Sequence, residues 1–419
     1  MNHKVNNKTL IEDLYISFFD GPHATPQFVD EGPIFLGIKN ITEDGRLDLI
    51  EINHISEQDF RKWTRRVTPQ SNDIVFTYEA ALHRYAIIPK DFKGCLGRRL
   101  ALIRPNLERV NPKFLLYYFL GNYWKALISS KIFSGSTVDR IPLIDFPRFE
   151  VSIPPLPVQK KIAAVLSAYD DLIENNTRRI VLLEKMAEEI YREWFVRLRF
   201  PGHEQTTFHK GIPEGWEISE LRQIAHLTMG QSPKSEFYNI KGEGLPFNQG
   251  VGTYGSRSPR REIFCSVKGR TAQKGDILFS VRAPVGRLNI ADCTMIIGRG
   301  LAAIRHKQGL NAYLFYLLRN LFLNEDIIGN GAIFNSVCKT ELESLKILKS
   351  SDLIARKYNK LAKDIDVQVD NLLASVEILQ QTRDRLLSRL ISGKLSLEDL
   401  DIQFPPSTTG PPSPAQGQA

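Results

Sequence analysis

Two stretches of the chain carry apolar residues at alternating spacings of four and three. The first runs Ile162, Leu166, Tyr169, Ile173, Asn176, Ile180, Leu183, Ala187, Ile190 and Trp194. The second runs Tyr358, Ala362, Ile365, Val369, Leu372, Val376, Leu379, Arg383, Leu386 and Leu390, each member 196 residues after its counterpart. This is a heptad seam, and each series has one polar interruption, at Asn176 and at Arg383. The pattern predicts two long helices, over residues 153–199 and 351–397. The first helix leads into a globular stretch and the second starts where that stretch ends, so the simplest chain path pairs them antiparallel. About 37 residues per helix would make a rod of roughly 55 Å, more than one turn of B-DNA. Two unrelated amphipathic helices are the plainer alternative, which the matched length and register disfavour.

Outside the helices the periodicity shortens and repeats. Asp73-Ile-Val-Phe-Thr-Tyr recurs as Asp276-Ile-Leu-Phe-Ser-Val, and Gly97-Arg-Arg-Leu-Ala-Leu-Ile as Gly298-Arg-Gly-Leu-Ala-Ala-Ile. Asn111-Pro-Lys-Phe-Leu-Leu-Tyr-Tyr is echoed by Asn311-Ala-Tyr-Leu-Phe-Tyr-Leu-Leu. Phe35–Ile38, Asp73–Tyr78, Ala86–Pro89 and Leu100–Ile103 are short strand candidates broken by Gly and Pro. A helix is expected over Asn111–Ile128, with Pro112 in its first turn. The second copy offers strands at Asp276–Ser280 and Thr294–Ile297 and a helix from Asn311 to Leu323. The expected architecture is α+β: two α/β units separated by an antiparallel pair of long coiled-coil helices, a pseudo-two-fold internal repeat. The units are expected at 1–152 and 200–350, and residues 398–419, rich in Pro, Ser and Gly, as a disordered tail.

At 419 residues the chain is long enough for at least two cores. There is no apolar run of membrane-spanning length, and Met1–Asp20 lacks the pattern of a secretory signal, so a cytoplasmic location is expected. Cys95, Cys265, Cys293 and Cys338 show no ligand spacing and read as reduced thiols, with no metal site. The net charge of +8 is unevenly placed: Ser256–Lys307 holds eleven Lys or Arg against three acids. Arg61, Lys62, Arg65, Arg66, Arg84, Arg98 and Arg99 form a milder cluster in the first copy, whereas Pro154–Phe200 has eight basic and seven acidic residues. Basic globular units on a neutral spacer suit a polyanion with two sites, duplex DNA above all. A solvated basic surface is the bland reading.

Ile153-Pro-Pro-Leu-Pro-Val-Gln-Lys-Lys-Ile-Ala-Ala-Val-Leu and Leu182-Leu-Glu-Lys-Met-Ala-Glu-Glu-Ile-Tyr-Arg-Glu-Trp-Phe resemble the start and end of the central helical region of a known family. Asp20-Gly-Pro-His-Ala-Thr-Pro and Met229-Gly-Gln-Ser-Pro resemble the early loops of its two target-recognition domains, and Gly215-Trp-Glu-Ile-Ser-Glu-Leu the opening of the second. That family is the specificity subunits of type I restriction–modification systems, and the resemblance covers nearly the whole chain. The corresponding opening of the first domain, near Leu10-Ile-Glu-Asp-Leu, lacks the Trp. The resemblance implies a non-catalytic subunit that reads a bipartite DNA target, one half per recognition domain. It also implies two methyltransferase subunits and restriction/translocase subunits as partners. The complex would use S-adenosylmethionine, ATP and Mg²⁺, with no cofactor bound by this chain.

What the sequence lacks agrees. There is no Asn-Pro-Pro-Tyr or Asp-Pro-Pro-Tyr for amino-methyl transfer, no P-loop, and no Pro-Asp to begin a nuclease metal motif. Gly298-Arg-Gly-Leu-Ala-Ala only faintly matches a dinucleotide fingerprint, and its repeat loses the second glycine. Two rivals stay open: a coiled-coil DNA-binding scaffold without sequence specificity, and a stand-alone DNA methyltransferase. Base-reading side chains are expected among polar and basic loop residues. In the first unit the candidates are His23, Thr25, Arg65, Arg66, Tyr78, Arg84, Ser136 and Arg140. In the second they are Ser232, Lys234, Asn248, Gln249, Tyr254, Arg257, Arg260, Arg261 and Arg282. For each of them, surface solvation competes with DNA contact.

Overall fold

A computed structural model describes residues 7–132, 138–323 and 336–402. The chain divides into two compact units, one built on residues up to Asn175 together with those from Val376, the other on Asn176–Ser375. Each long helix therefore contributes one half to each unit.

In the first unit the chain runs β1 (Asn7–Leu10), β2 (Tyr15–Asp20), β3 (Val29–Leu36), β4 (Asn53–His54), α1 (Glu57–Trp63), β5 (Ile74–Thr77), β6 (Tyr85–Ile87), β7 (Gly94–Leu96) and β8 (Leu100–Pro105). There follow α2 (Pro112–Leu120), α3 (Asn122–Lys131), β9 (Glu150–Ile153) and α4 (Leu156–Tyr191). The strands make an antiparallel sheet of order β2-β8-β5-β6, a smaller sheet β4-β3-β7 in which β3 and β7 run parallel, and a closing ladder β1-β9. The single helix expected from Asn111 is two, broken at Gly121, whose N–H closes on the Tyr118 carbonyl. Its start is as read: the Asn111 side chain accepts from the Phe114 N–H, with Pro112 first in the helix.

The second unit repeats the plan. Its elements are β10 (Phe208–His209), β11 (Ile212–Pro213), β12 (Glu217–Glu220), α5 (Leu221–Ile224), β13 (Ala225–Met229), β14 (Tyr238–Asn239), β15 (Leu245–Asn248), β16 (Phe264–Cys265) and β17 (Thr271–Ala272). They continue with β18 (Ile277–Ser280), β19 (Leu288–Ile290), β20 (Met295–Ile297), β21 (Leu301–His306), α6 (Asn311–Leu323), α7 (Lys339–Glu343), β22 (Lys346–Lys349) and α8 (Asp352–Ile391). The sheet β13-β21-β18-β19 has the strand order of β2-β8-β5-β6, and β15 pairs parallel with β20 as β3 does with β7. Ladder β12-β22 takes the place of β1-β9.

The repeated sequence words have repeated jobs. Asp73 is buried; its carboxylate accepts from the Gln70 N–H at 2.8 Å and from Arg104 at 2.8 and 2.9 Å. Asp276 does the same with the Gln273 N–H at 2.8 Å and Arg305 at 2.6 and 3.0 Å. Each aspartate closes the turn before its strand and holds a two-pronged arginine from the neighbouring strand.

Within each unit the two helix segments lie antiparallel. In the first, Arg383 of α8 reaches Asp170 of α4 at 2.7 Å, while Lys161, nearer the start of α4, donates to the carbonyls of Glu398 and Leu400 at 2.6 and 2.8 Å. In the second, Tyr358 of α8 donates to the Ala187 carbonyl at 2.8 Å, and Asn176 to the Ser375 hydroxyl at 3.2 Å. Both polar interruptions of the heptads thus find polar partners across the pair. Ile162, Leu166, Ile173, Ile180, Ile365 and Val369 are buried; Leu183, Ile190, Leu372, Val376, Leu379 and Leu386 are half-buried. Val158, Ile162, Leu166, Leu390 and Ile391 join the first unit's core beside Phe114, Trp124 and Phe149. In the second unit Tyr191 stacks on Phe195, Tyr313 and Tyr358 pack tilted or edge-on against Phe195, and Trp216 packs between Phe195 and Phe200. That burial explains the tryptophan in Gly215-Trp-Glu-Ile. Residues 398–402, expected in a disordered tail, are tied down by Lys161 and by Ile402 packing on the core; the remainder of that tail lies outside the described residues. No helix among the described residues is long and apolar enough to cross a membrane.

Candidate nucleic-acid interface

Strand register gathers four turns at one end of each unit. In the first, Asp20 pairs with Ala101 and Thr77 with Leu100, while Leu36 lies beside Leu96 in the parallel pair. The turns after β2, β3 and β5 and the β7–β8 turn therefore meet. In the second, Met229 pairs with Ala302, Ser280 with Leu301 and Asn248 with Ile297, and the same four turns meet. Two glycines make this approach possible. A Cβ on Gly21 would stand 2.2 Å from the Gly97 carbonyl oxygen, and one on Gly230 2.1 Å from that of Gly298. The early-loop words and the Gly-Arg words, distant in sequence, are thus pressed backbone to backbone in both units.

In the first unit this edge carries His23, Arg66, Arg84 and Arg140. Arg66 and His23 share the Asp20 carboxylate, at 2.6 and 3.2 Å, and Arg84 reaches Glu43 at 3.2 Å. Thr25 and Arg65 are exposed. Tyr78 is a correction: it is fully buried, so it cannot read a base, and burial pushes its phenol up despite the Arg140 guanidinium 5.5 Å above its ring. Ser136 lies outside the described residues.

In the second unit Ser232, Gln249 and Arg282 come together at the edge. The Ser232 hydroxyl accepts from the Arg299 N–H at 3.1 Å, and the Gln249 carbonyl from the Gly300 N–H at 3.2 Å. Lys234 is exposed on the turn after β13, 3.8 Å from Glu236. Three expectations need correction. Asn248 is buried, donating to the Met295 sulfur and accepting from the Thr253 hydroxyl at 2.8 Å, so it pins the turn from inside. Tyr254 is half-buried in an apolar cluster, and burial raises its phenol strongly. Arg257 is buried among Glu184 of α4 and Asp366 and Asp370 of α8. The Ile290 N–H binds the Arg257 carbonyl, and Arg261 pairs with Asp292 at 2.6 Å, which puts both arginines at the sheet's other end. Arg260 is exposed and paired with Glu262 at 3.1 Å.

The edge also holds Glu79, Arg98 and Arg99 in the first unit and Arg299 and Ser336 in the second. The repeated Gly-Arg pair, Gly97-Arg98 and Gly298-Arg299, is the signal that could have found the arginines. Gly298–Gly300 joins two strands and opens no helix, so it has no dinucleotide-binding context. Among the described residues, no cluster of His, Cys, Asp and Glu could hold a metal ion.

The sequence profile described as Type I restriction modification DNA specificity domain matches residues 29–185 and 213–348, once per recognition unit. The chain belongs to that family. Membership makes it a DNA sequence-specificity subunit of the type I restriction–modification kind, a recognition subunit and not a catalytic one. It is 30% identical over 377 residues to a putative type I restriction enzyme MjaX specificity subunit of Methanocaldococcus jannaschii, covering 85% of each chain. The MjaIX specificity subunit of the same organism is 25% identical over 364 residues, covering 83% of each. Among solved structures, the type I restriction–modification S subunit from M. genitalium aligns with a TM-score of 0.58 at 16% identity, over 93% of this chain and 97% of that one, a likeness of fold.

Proposed function

We propose that this specificity subunit reads a bipartite duplex target, one half-site per recognition domain, through the four-turn edge of each unit. The observation that carries this is the edge itself: the same strand order and the same glycine approach occur twice, dressed with different side chains. A constant frame with variable polar tips is what two different base sequences require. The segments 1–152 and 200–350 serve as the recognition domains, and the helices as the surface for two methyltransferase subunits, with restriction subunits joining that core. S-adenosylmethionine, ATP and Mg²⁺ belong to those partners, in the cytoplasm, and none is held by this chain. The test is methylation-site mapping in cells carrying the chain with its methyltransferase. Exchange of Met1–Ser152 for another member's first domain is expected to change one half of the motif only. A change in both halves, or methylation with no bipartite motif, would overturn the reading; DNA binding without sequence preference would support a mere scaffold instead.

A further inference from the structure

Each edge contains one three-point backbone junction. In the first unit the Tyr78 N–H binds the Arg99 carbonyl at 3.1 Å, the Ile141 N–H binds the Tyr78 carbonyl at 2.8 Å, and Glu79 bridges Arg140. In the second the Val281 N–H binds the Gly300 carbonyl at 2.9 Å, the Val337 N–H binds the Val281 carbonyl at 2.9 Å, and Arg282 bridges Ser336. Positions 79, 99 and 140 are therefore the structural equivalents of 282, 300 and 336. Their side chains are not alike. Glu79 stands between two arginines, with Arg99 Nε 2.9 Å from one carboxylate oxygen, though not aligned as a hydrogen bond, and Arg140 Nε 3.9 Å from the other. Its counterpart Arg282 is exposed and flanked by a glycine and a serine.

We infer that this junction is the specificity cassette of each domain: in the first, Glu79 is a positioning residue that presents Arg140 to a guanine edge, and in the second Arg282 makes the base contact itself. The inference rests on the proposed reading of one half-site per domain. Arg140 faces Glu79 through Nε at 3.9 Å and lies over the buried Tyr78 ring, so two sides of its guanidinium are turned toward protein groups that limit its swing. Among the described residues no carboxylate pairs with its terminal nitrogens, which leaves them for two parallel bonds to one acceptor pair. Guanine offers such a pair in O6 and N7 of the major groove. A guanidinium held in place loses less freedom on binding than a swinging one. Glu79 is only 23% exposed, and with two arginines beside it the triad keeps a net positive charge toward DNA. Inverting the central charge on an unchanged backbone gives the two domains different base preferences without altering the fold.

The experiment is methylation-site mapping of the full chain with its methyltransferase, comparing wild type, Glu79→Gln, Arg140→Lys and Arg282→Ala. Glu79→Gln and Arg140→Lys are expected to relax the same single guanine position in one half-site, by about tenfold in discrimination. Arg282→Ala should relax one position of the other half-site and leave the first untouched. Arg140 is 56% exposed and Lys keeps its charge, so that variant tests the fork without threatening the fold; thermal unfolding verifies this. A uniform fall at all sites with the motif unchanged would make these residues phosphate contacts and overturn the cassette. A wild-type map with no bipartite motif would instead overturn the reading beneath it.

Discussion

Arg257→Met should be among the most damaging single changes in the second unit. The Arg257 side chain is 5% exposed and lies against Asp366, with Glu184 at 3.4 Å and Asp370 at 3.5 Å. Methionine preserves most of the aliphatic volume and removes the charge. What is left behind decides the magnitude. Asp370 is 67% exposed and can be rehydrated, but the Asp366 side chain is 17% exposed and loses its main counter-charge. Breaking such a pair from one side costs about 3–5 kcal/mol, a large part of a domain's stability. At about 2–4 °C per kcal/mol the melting temperature should fall by roughly 6–20 °C.

The loss should depend on pH in a definite direction. Burial holds the Asp366 carboxyl above its ordinary value, against the pull of the Arg257 guanidinium. Without that guanidinium it rises further. A folded-state value above the unfolded one gives stability that is complete below the unfolded value and is lost as pH climbs through the folded one. The Arg257→Met deficit should therefore be greatest near neutral pH and shrink toward about pH 4. Urea unfolding of both proteins at several pH values measures the difference, and adding Asp366→Asn to Arg257→Met should recover much of it. A deficit under about 0.5 kcal/mol at neutral pH, or one that does not change with pH, would refute the argument.

Three further outcomes are expected. Val369→Asp puts a carboxylate at a fully buried point of the α8 seam and should cost several kcal/mol in chemical unfolding, with loss of co-purification with the methyltransferase; an unaffected midpoint would take Val369 out of the seam. Gly230→Ala forces a Cβ to 2.1 Å from a backbone oxygen and should cost about 1–3 kcal/mol and blur one half-site, while Gly21→Ala blurs the other; methylation mapping separates the two. Asp276→Asn weakens the turn clasp and its arginine, which is 45% exposed, so about 1–2 kcal/mol in thermal unfolding is expected rather than a full buried-pair penalty; unchanged unfolding would make the clasp decorative.

The helices were legible because a heptad is a local signal: Ile162 and Leu166 declare their face without knowing their neighbours. Asn176 and Arg383 showed as interruptions, but their partners, Ser375 and Asp170, lie about 200 residues away in sequence and only pairing brings them close. The same limit governed the interface. A run such as Arg257-Ser-Pro-Arg-Arg declares charge, not burial, and its first arginine proves to be an internal clasp to the helices while Arg261 is spent on Asp292. Tyr78 and Asn248 carry polar groups and do stand at the right end, but with the side chain turned inward. Glu79 is not among the candidates, which are polar and basic side chains, and the two arginines beside it, Arg99 and Arg140, come near it only in the fold. The internal repeat could have supplied what local reading did not. The matched backbone bonds equate Glu79 with Arg282 and Arg99 with Gly300, so positions that share a backbone and differ in charge can be found by comparing the chain with itself. On the proposed reading of one half-site per domain, those unequal positions are where specificity is to be sought.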